Sequence, residues 1–416
     1  MNTTKNKIAY LYEEDINTFL DKKIALKEGV AYEWEDEGVV HLRTQLSHHG
    51  YGHSCRCLFI RQADEIKPNE DTSAYAVFVN PDTRQVIISH SGDDFVTEFI
   101  PAKADLYSRS KGLLEIGVLA EKHVAIIGLG SFGANIAVEL AKAGVGSFSL
   151  IDFDRVELHN LSRHACGIND LGRLKTDAVA DLIWGKNPYA KVEKLPLDIN
   201  NDIELLHTEV QKADLVICAT DNNRSRFCLS QVLVDEQTTC IFGRAVTRAE
   251  GGDVFRYRPG GPCYVCLIGN QWFDMQAEEI TNEASARRDG RIAAYVSPEQ
   301  ADAMVQVGLS TDIEPIVNMM VKLALVELSR GTDSGISMLD EELVYDYYMW
   351  ANRRERRHAN WAPFPSAGNK PTILRWYGAR IQRNEECSVC GHEEIALDEG
   401  DDIESMLDRF LEKNEE

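Results

Sequence analysis

The chain has 416 residues, 44% of them hydrophobic and 27% charged, an ordinary globular composition with room for two or three domains. Its formal net charge of −23 argues against a free nucleic-acid binder, although a nucleotide site needs only a few local cations and backbone N–H groups. No stretch reaches the roughly 18 apolar residues of a membrane helix, no secretory hydrophobic region follows Met1, and ten cysteines in a chain expected to be cytoplasmic suggest thiols and metal ligands rather than disulfides.

Residues 1–105 read as an N-terminal α/β domain. Within it, Ala74–Pro81 and Gln85–Ser89 read as strands joined by the turn Asn80-Pro81-Asp82. The segment 46–57 gathers His48, His49, His53, Cys55 and Cys57, but without a standard ligand spacing it reads as a polar loop entering a strand rather than a metal site. No catalytic motif stands in this domain, and a substrate- or partner-recognition module is the expectation.

From about residue 106 the texture changes. His123–Gly128 is a continuous apolar run, as in a strand buried on both faces. A glycine turn follows, then a helix over 134–143, then a strand Ser147–Asp152 ending in an acid. A later strand, Asp214–Asp221, also ends in an acid. This alternation predicts a Rossmann-like, doubly wound parallel sheet. Residues 270–308 carry few large apolar residues and read as an excursion from that sheet, and 317–328 as a strongly apolar helix. The basic run Arg353–His358 reads as a solvated face or a grip for an acidic partner. Residues 397–416 read as an acidic amphipathic helix, with Ile403, Met406, Leu407, Phe410 and Leu411 at helical spacing.

Gly128, Gly130 and Gly133 form G-x-G-x-x-G between the first strand of this unit and its helix. There the backbone can approach a phosphate at a helix N-terminus. Asp152, 19 residues beyond Gly133, suits a carboxylate that holds ribose hydroxyls, as an NAD-dependent oxidoreductase would also have. The run Asp152-Phe-Asp154-Arg-Val, Asn160-Leu-Ser-Arg163-His164, then Lys175, then Thr220-Asp221-Asn222 separates the two readings. Over about residues 106–392 (106–396 as a domain) it resembles the adenylation domain of the ThiF/MoeB/HesA family, relatives of the ubiquitin-activating enzymes. Their pattern is roughly D-x-D-x-V-x-x-x-N-L-x-R-Q, a downstream K, and T-D-N-x-x-x-R.

The resemblance implies ATP and Mg²⁺ as cofactors and adenylation of the C-terminal carboxylate of a ubiquitin-like protein, for conjugation or sulfur transfer. Asp152 would take the ribose. Asn160, Arg163 and Lys175 would hold the phosphates, Asp221 would hold Mg²⁺, and Asp154 and Asn222 complete the nucleotide set. Arg109, in Leu106-Tyr107-Ser-Arg109, matches an arginine that reaches the opposite subunit's site in the family, which implies a homodimer. His164 stands where the family often has Gln, and an arginine at Arg224 comes early in its motif and receives no role. Arg109, Arg163, Lys175 and Asp221 are thus the expected catalytic set. A microcin-type enzyme acting on a peptide C-terminus, and a non-catalytic scaffold of the same fold, remain open.

Cys263-x-x-Cys266 and Cys387-x-x-Cys390 each have the spacing for two thiolates on one Zn²⁺. The family carries the same split pair, so a closed structural zinc site is expected. In relatives that form a thioester, the nucleophile follows the first pair, but here residues 267–386 contain no cysteine. Of the others, Cys166 lies nearest the phosphate residues and still reads as core. The expected partners are therefore a modifier or peptide with a free C-terminus and a separate acceptor, a conjugating enzyme or sulfur donor.

Overall fold

The computed structural model describes residues 7–44, 53–62, 74–101, 106–110, 112–113, 116–269, 308–333, 335–354, 358–361 and 372–391. Nearly all of the excursion over 270–308, residues 46–52 of the segment 46–57 and the amphipathic stretch 397–416 lie outside them. The chain divides into two compact units, Met1–Lys111 with Asn187–Tyr189, and Gly112–Lys186 with Ala190–Glu416.

The first unit holds β1 (Lys7–Tyr12), α1 (Glu13–Asp21), β2 (Leu26–Trp34), β3 (Val39–Arg43), β4 (His53–Arg61), β5 (Tyr75–Val79), β6 (Val86–Ser89) and β7 (Phe95–Ile100). They build one mixed sheet in the order β6-β5-β4-β2-β3-β1-β7. Side chains alternate across a strand, so Ala9 and Leu11 of β1 and Val40 and Leu42 of β3 point together into a core that Ile16 and Phe19 of α1 complete. Asp15 turns inward from α1, accepting from Arg43 Nε at 2.9 Å and Thr44 N at 3.0 Å. The turn read at Asn80 is present: its Oδ1 accepts from the N–H groups of Asp82 and Thr83, and β5 and β6 pair antiparallel. His53 to Cys57 lie on β4, with Cys57 buried in the core.

The second unit begins with α2 (Ile116–Ala120) and alternates β8 (His123–Ile127), α3 (Gly133–Ala143), β9 (Ser147–Ile151), α4 (Lys175–Trp184), β10 (Lys191–Leu195), α5 (Ile203–Lys212), β11 (Leu215–Cys218), α6 (Asn223–Asp235) and β12 (Cys240–Ala245). Then come β13 (Gly251–Tyr257), α7 (Tyr264–Ile268), α8 (Ser310–Ser329), β14 (Tyr347–Ala351) and β15 (Arg375–Ala379). The sheet order is β10-β9-β8-β11-β12-β13-β14-β15, parallel through β12 and antiparallel after it. The fold is thus the doubly wound α/β arrangement that the sequence predicts. β8 and β9 are each buried along nearly their whole length, as sheet strands covered on both faces must be. One core contains Ile126, Leu140, Leu150, Ile316 and Leu323; the opposite one contains Ile127, Val216, Leu229 and Phe255. α8 starts seven residues before the expected 317, with Pro315 in its second turn.

The strand order reverses between β8 and β11, whose neighbours lead to β9 on one side and β12 on the other. In open α/β sheets a crevice opens at the C-terminal strand ends at such a point.

Candidate functional site

The residues after β8 form the floor of that crevice. Gly128 has φ +86°, and a Cβ there would stand 2.8 Å from the carbonyl oxygen of Ala219, just after β11. Gly133 starts α3 against the Gly128 carbonyl, 1.9 Å from where its own Cβ would be. Gly130 differs, for a Cβ there meets no protein atom within 4 Å. The first two glycines are therefore required by the fold, whereas Gly130 faces open space in a cavity of about 610 Å³, a volume typical of small-molecule sites. No described residue accepts a hydrogen bond from the backbone N–H of Gly130, Ser131 or Phe132.

Asp152 follows β9 and is buried. Its Oδ2 accepts from Leu129 N at 2.7 Å and its Oδ1 from Asp154 N at 2.8 Å. The chain then doubles back. Val156 N donates to Arg173 O at 2.9 Å, and Lys175 N to Asp154 O at 3.0 Å, which returns the start of α4 to the end of β9. Lys175 is buried there, its Nζ 2.8 Å from Asp154 Oδ2 and 3.8 Å from Asp152 Oδ2.

Burial pulls the Lys175 ammonium down, but Asp152, Asp154 and Asp221 outweigh it and hold it above its usual value. Burial pushes the Asp152 carboxyl up, against Lys175 and the two backbone donors. The two groups form one buried charge pair. The ammonium is the firmer end, because three carboxylates face it and only burial opposes them.

Arg163 lines the same cavity, half-buried, and no described residue offers its guanidinium a hydrogen bond or an ion pair. Burial lowers its proton affinity, but a guanidinium stays charged. A desolvated cation facing a cavity is a place for an anion. Its backbone is held by Asn135 of α3, whose Nδ2 donates to Arg163 O at 3.3 Å and to Ser131 O at 2.7 Å. Asn160 accepts from Glu157 N through Oδ1 at 2.9 Å and also lines the cavity. His164, the departure from Gln, is buried, with Nε2 2.6 Å from Leu129 O and Nδ1 accepting from Cys166 N at 3.0 Å.

Across the crevice, Asp221 is exposed on the cavity wall and accepts no hydrogen bond from a described residue. Asn222 caps α6, its Oδ1 accepting from Ser225 N at 2.8 Å, so the cap after β11 is Asn222 rather than Asp221. Arg226 is the residue that sequence reading missed. It is buried on the cavity wall, donating to Thr220 O and to Asn223 Oδ1. Counting from Asn222, it fills the arginine place of T-D-N-x-x-x-R, two residues beyond Arg224. Gly128, Gly130, Asp152, Asp154, Asn160, Arg163, Lys175, Asp221 and Asn222 all line this one cavity. Arg109 is exposed on the 3₁₀ turn Ser108–Ser110 of the first unit.

Away from the cavity, Cys263 and Cys266 at α7 meet Cys387 and Cys390, all four sulfurs within 4.8 Å of one another. Cys263 Sγ lies 3.5 Å from Cys387 Sγ, and Cys266 Sγ 3.3 Å from Cys390 Sγ. Four thiolates at Zn–S distances of ~2.3 Å stand about 3.8 Å apart in a tetrahedron, so the donor set fits zinc with little adjustment. The remaining thiols are not activated. Burial pushes Cys166 and Cys228 up to about 12, and Cys218 and Cys240 are buried in β11 and β12.

A family model described as the ThiF family matches residues 109–338. Among curated relatives, the adenylyltransferase and sulfurtransferase MOCS3 of Culex quinquefasciatus is 31% identical over 212 residues, 50% of this chain and 47% of that protein. The SAMP-activating enzyme E1 of Haloferax volcanii is 34% identical over 170 residues, 39% of this chain and 62% of that one. The molybdopterin-synthase adenylyltransferase of Escherichia coli is 34% identical over 151 residues, 36% of this chain and 59% of that one. The chain spans about half the length of the curated relatives it matches. A crystal structure of Escherichia coli MccB with ATP aligns over 66% of this chain and 68% of that one, with TM-score 0.45 and 18% identity. With the family model covering more than half of its residues, the chain belongs to the ThiF family.

Proposed function

We propose that the chain is an ATP-dependent activating enzyme that adenylates the C-terminal carboxylate of a ubiquitin-like protein. The observation that carries this reading is Arg163, a half-buried cation without a described partner, in one cavity with Lys175 and the open face of Gly130. A bound triphosphate supplies the anion that these groups lack.

The substrate carboxylate attacks the α-phosphorus, forming an acyl–phosphate bond. The bond from the α-phosphorus to the bridging oxygen breaks, and pyrophosphate leaves with the electron pair. Asp152 orients the ribose, with Asp154 and Asn222 on the rim. Asn160, Arg163 and Lys175 hold the phosphates and stabilise the charge that develops on them, an electrostatic role worth several kcal/mol in a water-poor site. Mg²⁺, for which the unpaired Asp221 carboxylate is a fitting ligand, neutralises phosphate charge when bound.

Arg109 acts on the partner subunit's nucleotide in a homodimer. The first unit selects the substrate, and zinc on the four cysteines has a structural role. Because the thiols of the second unit outside the four-cysteine cluster are held up by burial, the acyl group passes to a separate acceptor, a conjugating enzyme or a sulfur donor. The test is ATP–pyrophosphate exchange with ubiquitin-like proteins and C-terminal peptides, free and amidated. Exchange that requires the free carboxylate and disappears in Arg163→Ala supports the reading; exchange that is indifferent to both refutes it.

A further inference from the structure

The backbone of Leu129, at the centre of the phosphate loop, is held on both sides of its Cα. Its N–H donates to Asp152 Oδ2 at 2.7 Å and its carbonyl lies 2.6 Å from His164 Nε2. Leu129 O stands four residues before Gly133, where an α-helix would draw its next bond. His164 takes that carbonyl instead. The tautomer follows from the partners: Nδ1 must accept from Cys166 N, so Nε2 carries the proton and donates.

We propose that His164 is a positioning residue for nucleotide binding: its ring, seated by the Cys166 N–H while neutral, fixes the Leu129 backbone of the phosphate loop, and a second proton, which sets Nδ1–H against the Cys166 N–H, pushes the ring out of that seat. This rests on the nucleotide reading of the cavity. A proton on Nδ1 would face the Cys166 N–H and end that bond, so a charged ring cannot keep both contacts. The charged groups around it are Lys175 at the start of α4, Asp170 in the adjoining 3₁₀ turn, Arg163 beside it in sequence, and Asp152 on the Leu129 N–H. Burial and Lys175 favour the neutral ring; the Leu129 carbonyl and Asp170 oppose them.

The test is calorimetric titration of the full chain with Mg·ATP between pH 7.5 and 5.5, for wild type, His164→Gln and His164→Ala. A glutamine amide can donate to Leu129 O and does not titrate. His164→Gln should therefore recover most of the affinity that His164→Ala loses at pH 7.5. As pH falls, wild type should lose more affinity than His164→Gln, by up to about tenfold per pH unit for one coupled proton. Protonation of ATP itself affects both proteins and cancels in the comparison. Affinity that falls in parallel in wild type and His164→Gln, with binding intact at pH 7.5, overturns this role of His164 and leaves the nucleotide site standing. A wild type that binds no Mg·ATP at pH 7.5 overturns both. If His164→Ala does not fold, the comparison of wild type with His164→Gln still decides.

Discussion

Placing an alanine at each of two glycines of the phosphate loop should separate fold from ligand. At Gly128 the φ of +86° costs a non-glycine residue about 1–2 kcal/mol. The added Cβ would also stand 2.8 Å from Ala219 O and 3.0 Å from Thr220 N, backbone atoms just past β11, adding about 1–3 kcal/mol of overpacking. Gly128→Ala should therefore destabilise the second unit by roughly 2–5 kcal/mol, a fall in melting temperature on the order of 10 °C. At Gly130 nothing lies within 4 Å of the new methyl, so Gly130→Ala should melt with wild type. Its methyl instead occupies cavity space beside the free loop amides, and Mg·ATP affinity should fall by tenfold or more, about 1.4 kcal/mol. Thermal melts and nucleotide titration read the two effects separately. Equal melting temperatures for Gly128→Ala and wild type, or undiminished nucleotide affinity in Gly130→Ala, would refute the geometry described for the loop.

Lys175→Met leaves Asp152 buried without its counter-charge, so urea denaturation should show a loss of about 3–5 kcal/mol; an unchanged midpoint would mean the carboxylates do not depend on it. Purified protein should hold one zinc per chain by elemental analysis, and Cys387→Ser should lose both the metal and several kcal/mol of stability; full stability without metal would exclude a structural ion. Cys166→Ser should keep both pyrophosphate exchange and transfer of the acyl group from the adenylate to an added thiol, because its buried thiol does not act as the acyl acceptor; a folded variant that still exchanges pyrophosphate but no longer transfers the acyl group would contradict that. His123 and His164 have proton affinities lowered mainly by burial. The unfolded chain therefore binds more protons than the folded one below the ordinary histidine value of about 6.5. Their contribution is complete above that pH and shrinks as pH falls towards the folded values, by up to about 1.4 kcal/mol per pH unit for each group. Urea midpoints that do not fall between pH 7 and 5.5 would argue against it.

Three of the five parallel strands of the second sheet were legible because they are apolar runs: His123–Ile127, Ser147–Ile151 and Leu215–Cys218 are buried from both faces and carry their own signature, whereas β10, with its alternating charges, and β12 were not placed. Ordered motifs then placed most of the cavity lining. The antiparallel strands β13 to β15 were not placed, because 251–257 and 375–379 mix aromatic, charged and glycine residues, 347–351 is a short aromatic run, and β14 pairs with strands far from it in sequence. Most of the first unit went unread for a related reason. Tyr10, Tyr32 and His41 on one face of its strands obscure the apolar alternation of the other. Arg226 was within reach of spacing alone, four residues after Asn222. His164 was not, since its role depends on which carbonyl its ring meets, and nothing in Arg163-His164-Ala165-Cys166 points to Leu129.

The central claim is that Arg163, Lys175 and Asp221 serve adenylation, and ATP–pyrophosphate exchange tests it most directly. With a ubiquitin-like protein or peptide bearing a free C-terminus, wild type should exchange label into ATP, while Asp221→Ala and Arg163→Ala, folded and zinc-loaded, should not. Exchange that persists undiminished in both variants, or a wild type that binds NAD tightly and ATP not at all, would contradict the account.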